Sequence, residues 1–185
     1  MKRKNSLYIA TSLDGYIADK NGGIAWLDSI KIPDDEDMGY LKFTEGIDAL
    51  VMGRTTFETV LGFDVDWPYQ KPVFVLSTTL NEIPDSHKGK AHLVKGTLAE
   101  ILGQIHKKGY LRLYIDGGKT IQNFLKEDLI DEMIITVFPI VLGGGSPLFS
   151  ETPKELAFEL VDSKMYFNQL VQHHYIRNRK TNTTK

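Results

Sequence analysis

The sequence predicts an α/β protein built on a mixed, mostly parallel sheet, and three observations predict it. Short apolar runs of β type alternate with segments of helical period from Ser6 to Leu125. Most connections between them are short, as in strand–helix–strand units. After Asp131 no helical period returns: Leu156, Phe158 and Leu160 alternate as a half-buried strand does, and residues 170–176 follow through a turn near Asn168. That last pair is expected as an antiparallel hairpin at one edge of the sheet.

The elements follow in order. Residues 6–11 form a first strand. Residues 13–33 hold Gly15, Gly22 and Gly23 with little periodicity, and a loop this long inside a domain is usually functional. Pro33 precedes four acids, Asp34 to Asp37, placed as at a helix start, with Met38, Tyr40, Leu41 and Phe43 at helical spacing behind them. Strands are expected at 49–52, 72–77, 91–95, 111–116 and 131–138. Helices are expected at 54–61, over the stripe Leu98, Ile101, Leu102 and Ile105, and around Ile121, Phe124 and Leu125.

At 185 residues, 42% hydrophobic and 25% charged, the chain has the size and composition of one globular domain. No cysteine is present, which excludes disulfides and thiolate chemistry. No apolar run reaches the ~20 residues of a membrane helix, the start lacks a signal peptide's apolar block, and the expectation is a cytoplasmic protein with no membrane partner. Seven of the 22 cations (Lys2, Arg3, Lys4, Arg177, Arg179, Lys180 and Lys185) lie in the two ends, and all 24 acids lie between them. The reading is a basic end at 1–4, a strongly acidic domain at 5–176 and a solvated polar tail at 177–185. An acidic body excludes nucleic acid as a partner, because that affinity comes from phosphate neutralisation. An anionic ligand of such a body must be held by local devices.

Those devices are visible at strand ends. Val51-Met52-Gly53-Arg54-Thr55-Thr56 and Ile115-Asp116-Gly117-Gly118-Lys119-Thr120 each leave a buried strand, turn on glycine and start a helix beside a cation. Val75-Leu76-Ser77-Thr78-Thr79 leaves a strand into hydroxyls. Strand tips form the ligand crevice of an open α/β sheet, and free helix-start amides bind phosphate. Each glycine turn alone reads equally as a tight connection; the two together, each with a cation, favour a nucleotide. Two standard phosphate motifs fail. A P-loop ending in Gly118-Lys119-Thr120 needs a glycine where Leu113 stands, and no G-x-G-x-x-G follows the first strand. Asp116 reads as a helix cap. His173 and His174 alternate across a strand and cannot share a metal, and no metal site is expected.

The order of motifs resembles the dihydrofolate reductase-like family. Ser12 to Ala18 (S-L-D-G-Y-I-A), a glycine loop reaching Trp26, V-M-G-R-T-T-F-E from Val51, V-L-S-T-T from Val75, I-D-G-G-K-T from Ile115 and V-L-G-G-G-S-P-L-F from Val141 occur in its sequence. The likeness is greatest to the branch holding the reductase domain of the bifunctional riboflavin-biosynthesis deaminase–reductase and its stand-alone bacterial relatives. The resemblance implies a single-domain dihydrofolate reductase-like fold and an NADPH site. Arg54, Thr55, Ser77 and Thr78, with Lys95 near, would flank the 2′-phosphate. Gly117, Gly118 and Lys119 would seat the pyrophosphate, with Gly53, Thr56 and Thr120 completing the turns, and Ala10 and Ile17 would line the nicotinamide.

It further implies hydride transfer to a C=N or C=O group of a small heterocycle, either dihydrofolate-like (a pterin) or resembling 5-amino-6-(5-phosphoribosylamino)uracil. The candidate catalytic acids are Asp14, which reads equally as a turn residue before Gly15, and Asp37, which reads also as a solvated acid at a helix start; the candidate substrate contacts are Trp26, Tyr40 and Phe43. Trp26 reads equally as packing, and Trp67 and Tyr69 are further aromatics able to stack a ring. Two departures stand out. Gly39 occupies the position of the dihydrofolate reductase carboxylate, and the riboflavin-type arginine segment is absent from residues 38–43, where Lys42 is the sole cation. The alternative is therefore a nucleotide-binding protein of this fold without catalysis. Relatives in the family often pair, and residues 133–142 could supply an edge for a homodimer or equally be a core strand.

Overall fold

The structure, a computed structural model, describes residues 2–179. Ten strands and four α-helices follow in the order β1 (Lys4–Ser12), β2 (Tyr16–Ala18), α1 (Tyr40–Glu45), β3 (Ala49–Gly53), α2 (Arg54–Leu61), β4 (Val73–Leu76), β5 (Ala91–Val94), α3 (Leu98–Lys107), β6 (Arg112–Asp116), α4 (Gly118–Lys126), β7 (Glu132–Phe138), β8 (Ser146–Pro147), β9 (Phe158–Tyr166) and β10 (Leu170–Arg177). Eight strands form one sheet in the order β5-β4-β3-β6-β1-β7-β10-β9. The six from β5 to β7 are parallel, and β10 and β9 are antiparallel. The mixed sheet and the antiparallel C-terminal hairpin are as the sequence predicts.

Alternation along the strands divides the core into two layers. Leu50, Met52, Val73 and Val75 point to one face, under α1 and α2 with Phe57. Ala49, Val51, Phe74, Leu113 and Ile115 point to the other, under α3 and α4 with Ile105, Ile121 and Phe124. Because six strands run the same way, β1, β3, β4, β6 and β7 all end on one edge of the sheet, at Ser12, Gly53, Leu76, Asp116 and Phe138.

Several expectations need correction. The helix after Pro33 is only six residues long and starts at Tyr40. The acids meant to open it instead bend the chain: Glu36 accepts from the Met38 amide (2.6 Å) and Asp37 from the Gly39 amide (2.8 Å), while Met38 and Gly39 take φ of 52° and 88°. Acid side chains bonding nearby amides compete with helix. The strand expected from Leu156 starts at Phe158. β7 lies between β1 and β10, so residues 133–142 offer no free edge; the edges are β5 and β9.

Lys4, Arg177 and Arg179, expected in solvated ends, are held by ion pairs instead. Lys4 opens β1 with its Nζ 2.9 Å from Glu132. Arg177 closes β10 at 8% exposure, pairs with Asp128 (2.7 Å) and lies over the Phe158 ring. Arg179 reaches Asp131 at 2.6 Å. Residues 180–185 of the expected tail lie outside the described residues. Among those described, no helix is long and apolar enough to cross a membrane.

Candidate functional site

A cleft of about 770 Å3 opens over the strand tips of β1, β3 and β6. Its position follows from topology: Met52 and Asp116 are register partners on β3 and β6, so the turns that follow them must meet. They meet closely. A Cβ on Gly53 would stand 3.0 Å from Thr120 Oγ1, and a Cβ on Gly117 would collide with Thr56 Oγ1. Gly117 also has φ of 85°, the left-handed region that glycine enters at no steric cost. The glycines thus let two helix starts approach each other side by side.

Neither helix start is capped. The residues before α2 and α4 are Gly53 and Gly117, and no side chain accepts from the first amides of either helix. The residues at those helix starts, Arg54, Thr55, Thr56, Lys119 and Thr120, all line the cleft. Uncapped helix starts beside cations attract an anion.

The opposite wall comes from β1 and from β2 with the loop after it. Ala10, Ile17 and Trp26 line it as expected, with Ile24 and Leu27. β2 is held over the cleft by β8, a pairing between Tyr16–Ala18 and Ser146–Pro147 that the sequence reading missed. The signal was present in Gly143-Gly144-Gly145: a Cβ at Gly145 would collide with the Ala18 carbonyl, so glycine is what lets β8 close on β2. Gln122 of α4 fixes the same segment, donating to the Pro147 carbonyl at 2.7 Å. Trp26 is 8% exposed, packs edge-on against Phe138, and its indole N–H is buried without an acceptor.

Other expected site residues lie outside the cleft. Ser77 Oγ accepts from the Thr79 and Leu80 amides (3.1 and 2.8 Å) and closes the turn after β4. Ser77, Thr78 and Lys95 follow the tips of β4 and β5, one and two strands outward from β3, and do not line the cavity. Tyr40 and Phe43 pack with Tyr8 and Tyr114 at ring separations of 5.1–6.5 Å, forming an aromatic wall on the sheet face. Tyr69 lines the cleft in their place.

Both acids expected to handle protons have structural work instead. Asp14 accepts from Ser12 Oγ (2.6 Å) and from the Leu142 and Gly143 amides (3.1 and 2.8 Å), tying the exit of β1 to the segment after β7. The Ser12 hydroxyl and those amides hold its carboxyl below the usual range. Asp37 accepts from the Leu41 and Gly39 amides, which hold it low in the same way. A carboxylate stabilised by backbone amides is a poor proton donor. Neither residue lines the cleft.

Asp116 does, and it is the only acid among the described residues that line it. Its Oδ1 accepts from the adjacent Gly117 amide at 2.8 Å, which supports the turn rather than capping the α4 amides. Burial pushes its carboxyl up to about 6, against the lowering effect of that one bond. Its charge in turn raises the hydroxyls of Tyr40, Tyr69 and Tyr114, after burial, the main cause for each. Alternation places Asp116 at the strand tip, but no local pattern reveals its raised carboxyl. The histidines do other work: His174 pairs with Glu132 (2.8 Å) and His173 with Ser163 (3.1 Å).

A family model described as the RibD C-terminal domain matches residues 4–172. YwjB of Bacillus subtilis (strain 168), itself uncharacterised, is 39% identical over 178 residues, 96% of this chain and 99% of YwjB. A crystal structure from Shewanella sp. PV-4, provisionally named a riboflavin biosynthesis protein, superposes with a TM-score of 0.92 at 55% identity over 95% of this chain and 99% of that one. The Thermotoga maritima diaminohydroxyphosphoribosylaminopyrimidine deaminase/5-amino-6-(5-phosphoribosylamino)uracil reductase matches at 0.72 and 16% identity over 96% of this chain and 57% of its own, a likeness of fold alone. With the family model spanning both the cleft and the sheet, and a 39% identical relative matched over nearly its whole length, this chain belongs to the RibD C-terminal domain family.

Proposed function

We propose that the protein is a reductase that binds NADPH across the strand tips and directs its hydride to a C=N or C=O carbon of a small flat heterocycle, aminopyrimidine-like or pterin-like. The observation that carries this reading is the juxtaposition of two uncapped helix starts, each with a cation. Each helix start is worth about 0.3–1 kcal/mol to an anion, up to about 2 when partly buried. Together with Arg54 and Lys119 they fit a diphosphate and its neighbouring phosphate. Hydride is what the cofactor supplies when bound.

The chain's own residues do the rest. Gly117 and Gly118 let the backbone come close to the diphosphate. Trp26, packed edge-on against Phe138, gives the cleft an aromatic wall for a flat ring. Asp116 holds a proton on a carboxyl tuned to about 6, close enough to neutrality to give it up to the nitrogen or oxygen of the reduced group. Tyr69 lines the cleft with Asp116, and burial with the charge of Asp116 raises its hydroxyl and keeps it protonated. The provisional name of the 55% identical Shewanella protein favours the aminopyrimidine side of the substrate class.

Fluorescence titration tests the cofactor assignment: NADPH is expected to bind at least about tenfold tighter than NADH, and equal affinities would contradict it. Oxidation of bound cofactor with dihydrofolate or a ribosylaminopyrimidine phosphate tests turnover. A nucleotide-binding protein without catalysis is the second reading, favoured by the way Tyr8, Tyr40, Phe43 and Tyr114 fill the sheet face; cofactor binding with no turnover of any heterocycle would select it. We also propose that two copies pair through the edge strand β9, where Leu160, Val161 and Met165 stand exposed. Light scattering showing a monomer at micromolar concentration would overturn that pairing.

A further inference from the structure

A second hollow, of about 410 Å3, lies at the opposite edge of the sheet, between α3 and the starts of β1 and β7. Asn5, Gly103 and His106 line it, with Arg3, Arg179 and Asp131. Three independent features distinguish it from a packing defect.

The first is unmet hydrogen bonding. Asn5 is only 7% exposed; its backbone N–H donates to Asp131 Oδ2 and its side-chain Nδ2 to the Leu129 carbonyl, both at 2.8 Å. Its Oδ1 is buried with no donor, and His106 Nε2 is buried with no partner in the same hollow. Buried polar atoms are normally paired, because an unpaired one has lost its water and gained nothing.

The second is Gly103, inside α3. A Cβ there would meet no atom within 4 Å, and its φ is not in the left-handed region, so neither close packing nor backbone geometry calls for glycine. Glycine in a helix interior is unfavourable relative to alanine. Its effect here is to leave the hollow open. The third is charge. Arg179 pairs with Asp131 at 2.6 Å and lies 3.9 Å from Asp128, while no acid among the described residues pairs with Arg3, so one unpaired cation stands at the rim of the hollow. Burial, and then Arg3, hold the His106 imidazole below its usual value, so the ring is neutral at pH 7 and its Nε2 donates or accepts according to tautomer.

We propose that this hollow is a second ligand site, separate from the cleft, for a small polyol phosphate, with a hydroxyl donating to Asn5 Oδ1 and meeting His106 Nε2 and the phosphate at Arg3 and Arg179. A hydroxyl both donates and accepts, which suits an orphaned acceptor beside a ring nitrogen of either role. Entry is past the exposed arginine side chains. The proposal does not depend on the reductase reading.

Titrating the full chain with glycerol 3-phosphate while following the His106 ring protons by NMR tests it. A saturable shift is expected, with inorganic phosphate at least about tenfold weaker. Gly103→Leu, which puts a side chain into the hollow, is expected to abolish the shift, and Gly103→Ala to raise Tm above that of the unsubstituted chain. No saturable shift would overturn the site. An equal response to inorganic phosphate would mark an adventitious ion only, and a shift surviving intact in Gly103→Leu would place binding elsewhere. Should Gly103→Leu fail to fold, the comparison of the two probes on the unsubstituted chain still decides.

Discussion

α3 and α4 pack on the same face of the sheet and are nearly equal in length, yet they begin in opposite ways. α3 opens with a closed capping box: Thr97 Oγ1 accepts from the Glu100 amide at 3.3 Å, and the Glu100 carboxylate accepts from the Thr97 amide at 2.8 Å. Its first amides are used by its own side chains. α4, like α2 across the sheet, opens on glycine with no cap at all. A helix start that satisfies itself is finished structure, whereas one left open at a strand tip beside a cation has kept its amides for something else.

The largest expected effect comes from forcing a side chain between the two open starts. Gly117→Ala must adopt φ near 85° and collide with Thr56, so it should lose about 1–3 kcal/mol of stability, read by urea unfolding, and lose detectable NADPH binding in the titration. Next is Asp116→Asn, expected to lower kcat by about 10²–10⁴-fold while leaving NADPH affinity unchanged. Burial raises this carboxyl, and the protonated form is the donor; kcat should therefore fall as pH rises through about 6, and the variant should lose that limb of the profile. A pH profile unchanged in Asp116→Asn would remove the residue from the proton path.

Arg54→Ala should weaken NADPH by roughly tenfold, the worth of one charge-assisted contact, and leave NADH nearly unaffected. Arg54 is half exposed and its Glu58 neighbour stands 3.7 Å away, so little stability should change. The smallest effect sharpens the contrast from the other side. Thr97→Ala opens the α3 start and should cost about 1 kcal/mol of stability, with no change in cofactor affinity. If uncapping α3 altered NADPH binding as much as Arg54→Ala, the distinction between the two kinds of helix start would fail.

What was readable in advance follows the range of the interactions. The two glycine turns were legible because strand, glycine, cation and helix are neighbours in sequence, and the parallel sheet then brings Met52 opposite Asp116 without further information. Asp14 and Asp37 misled because a carboxylate's role depends on which amides reach it. For Asp14 those amides belong to Leu142 and Gly143, 128 and 129 residues away. Asp116 was visible as a strand-tip acid, but its raised carboxyl comes from burial, which its neighbours in sequence do not reveal. The β2–β8 flap escaped for the same reason: a three-residue and a two-residue strand carry almost no periodicity, and only the glycine run at 143–145 hinted at close approach. Ser77 and Lys95 show the reverse case: they follow the ends of β4 and β5 directly, yet neither lines the cavity.

Amide hydrogen exchange with and without NADPH tests the central claim most directly, because it reads each helix start separately. Slowed exchange at residues 54–56 and 118–120, with residues 98–100 unchanged, is the predicted result. No slowing at either glycine turn, or equal slowing at the start of α3, would contradict it.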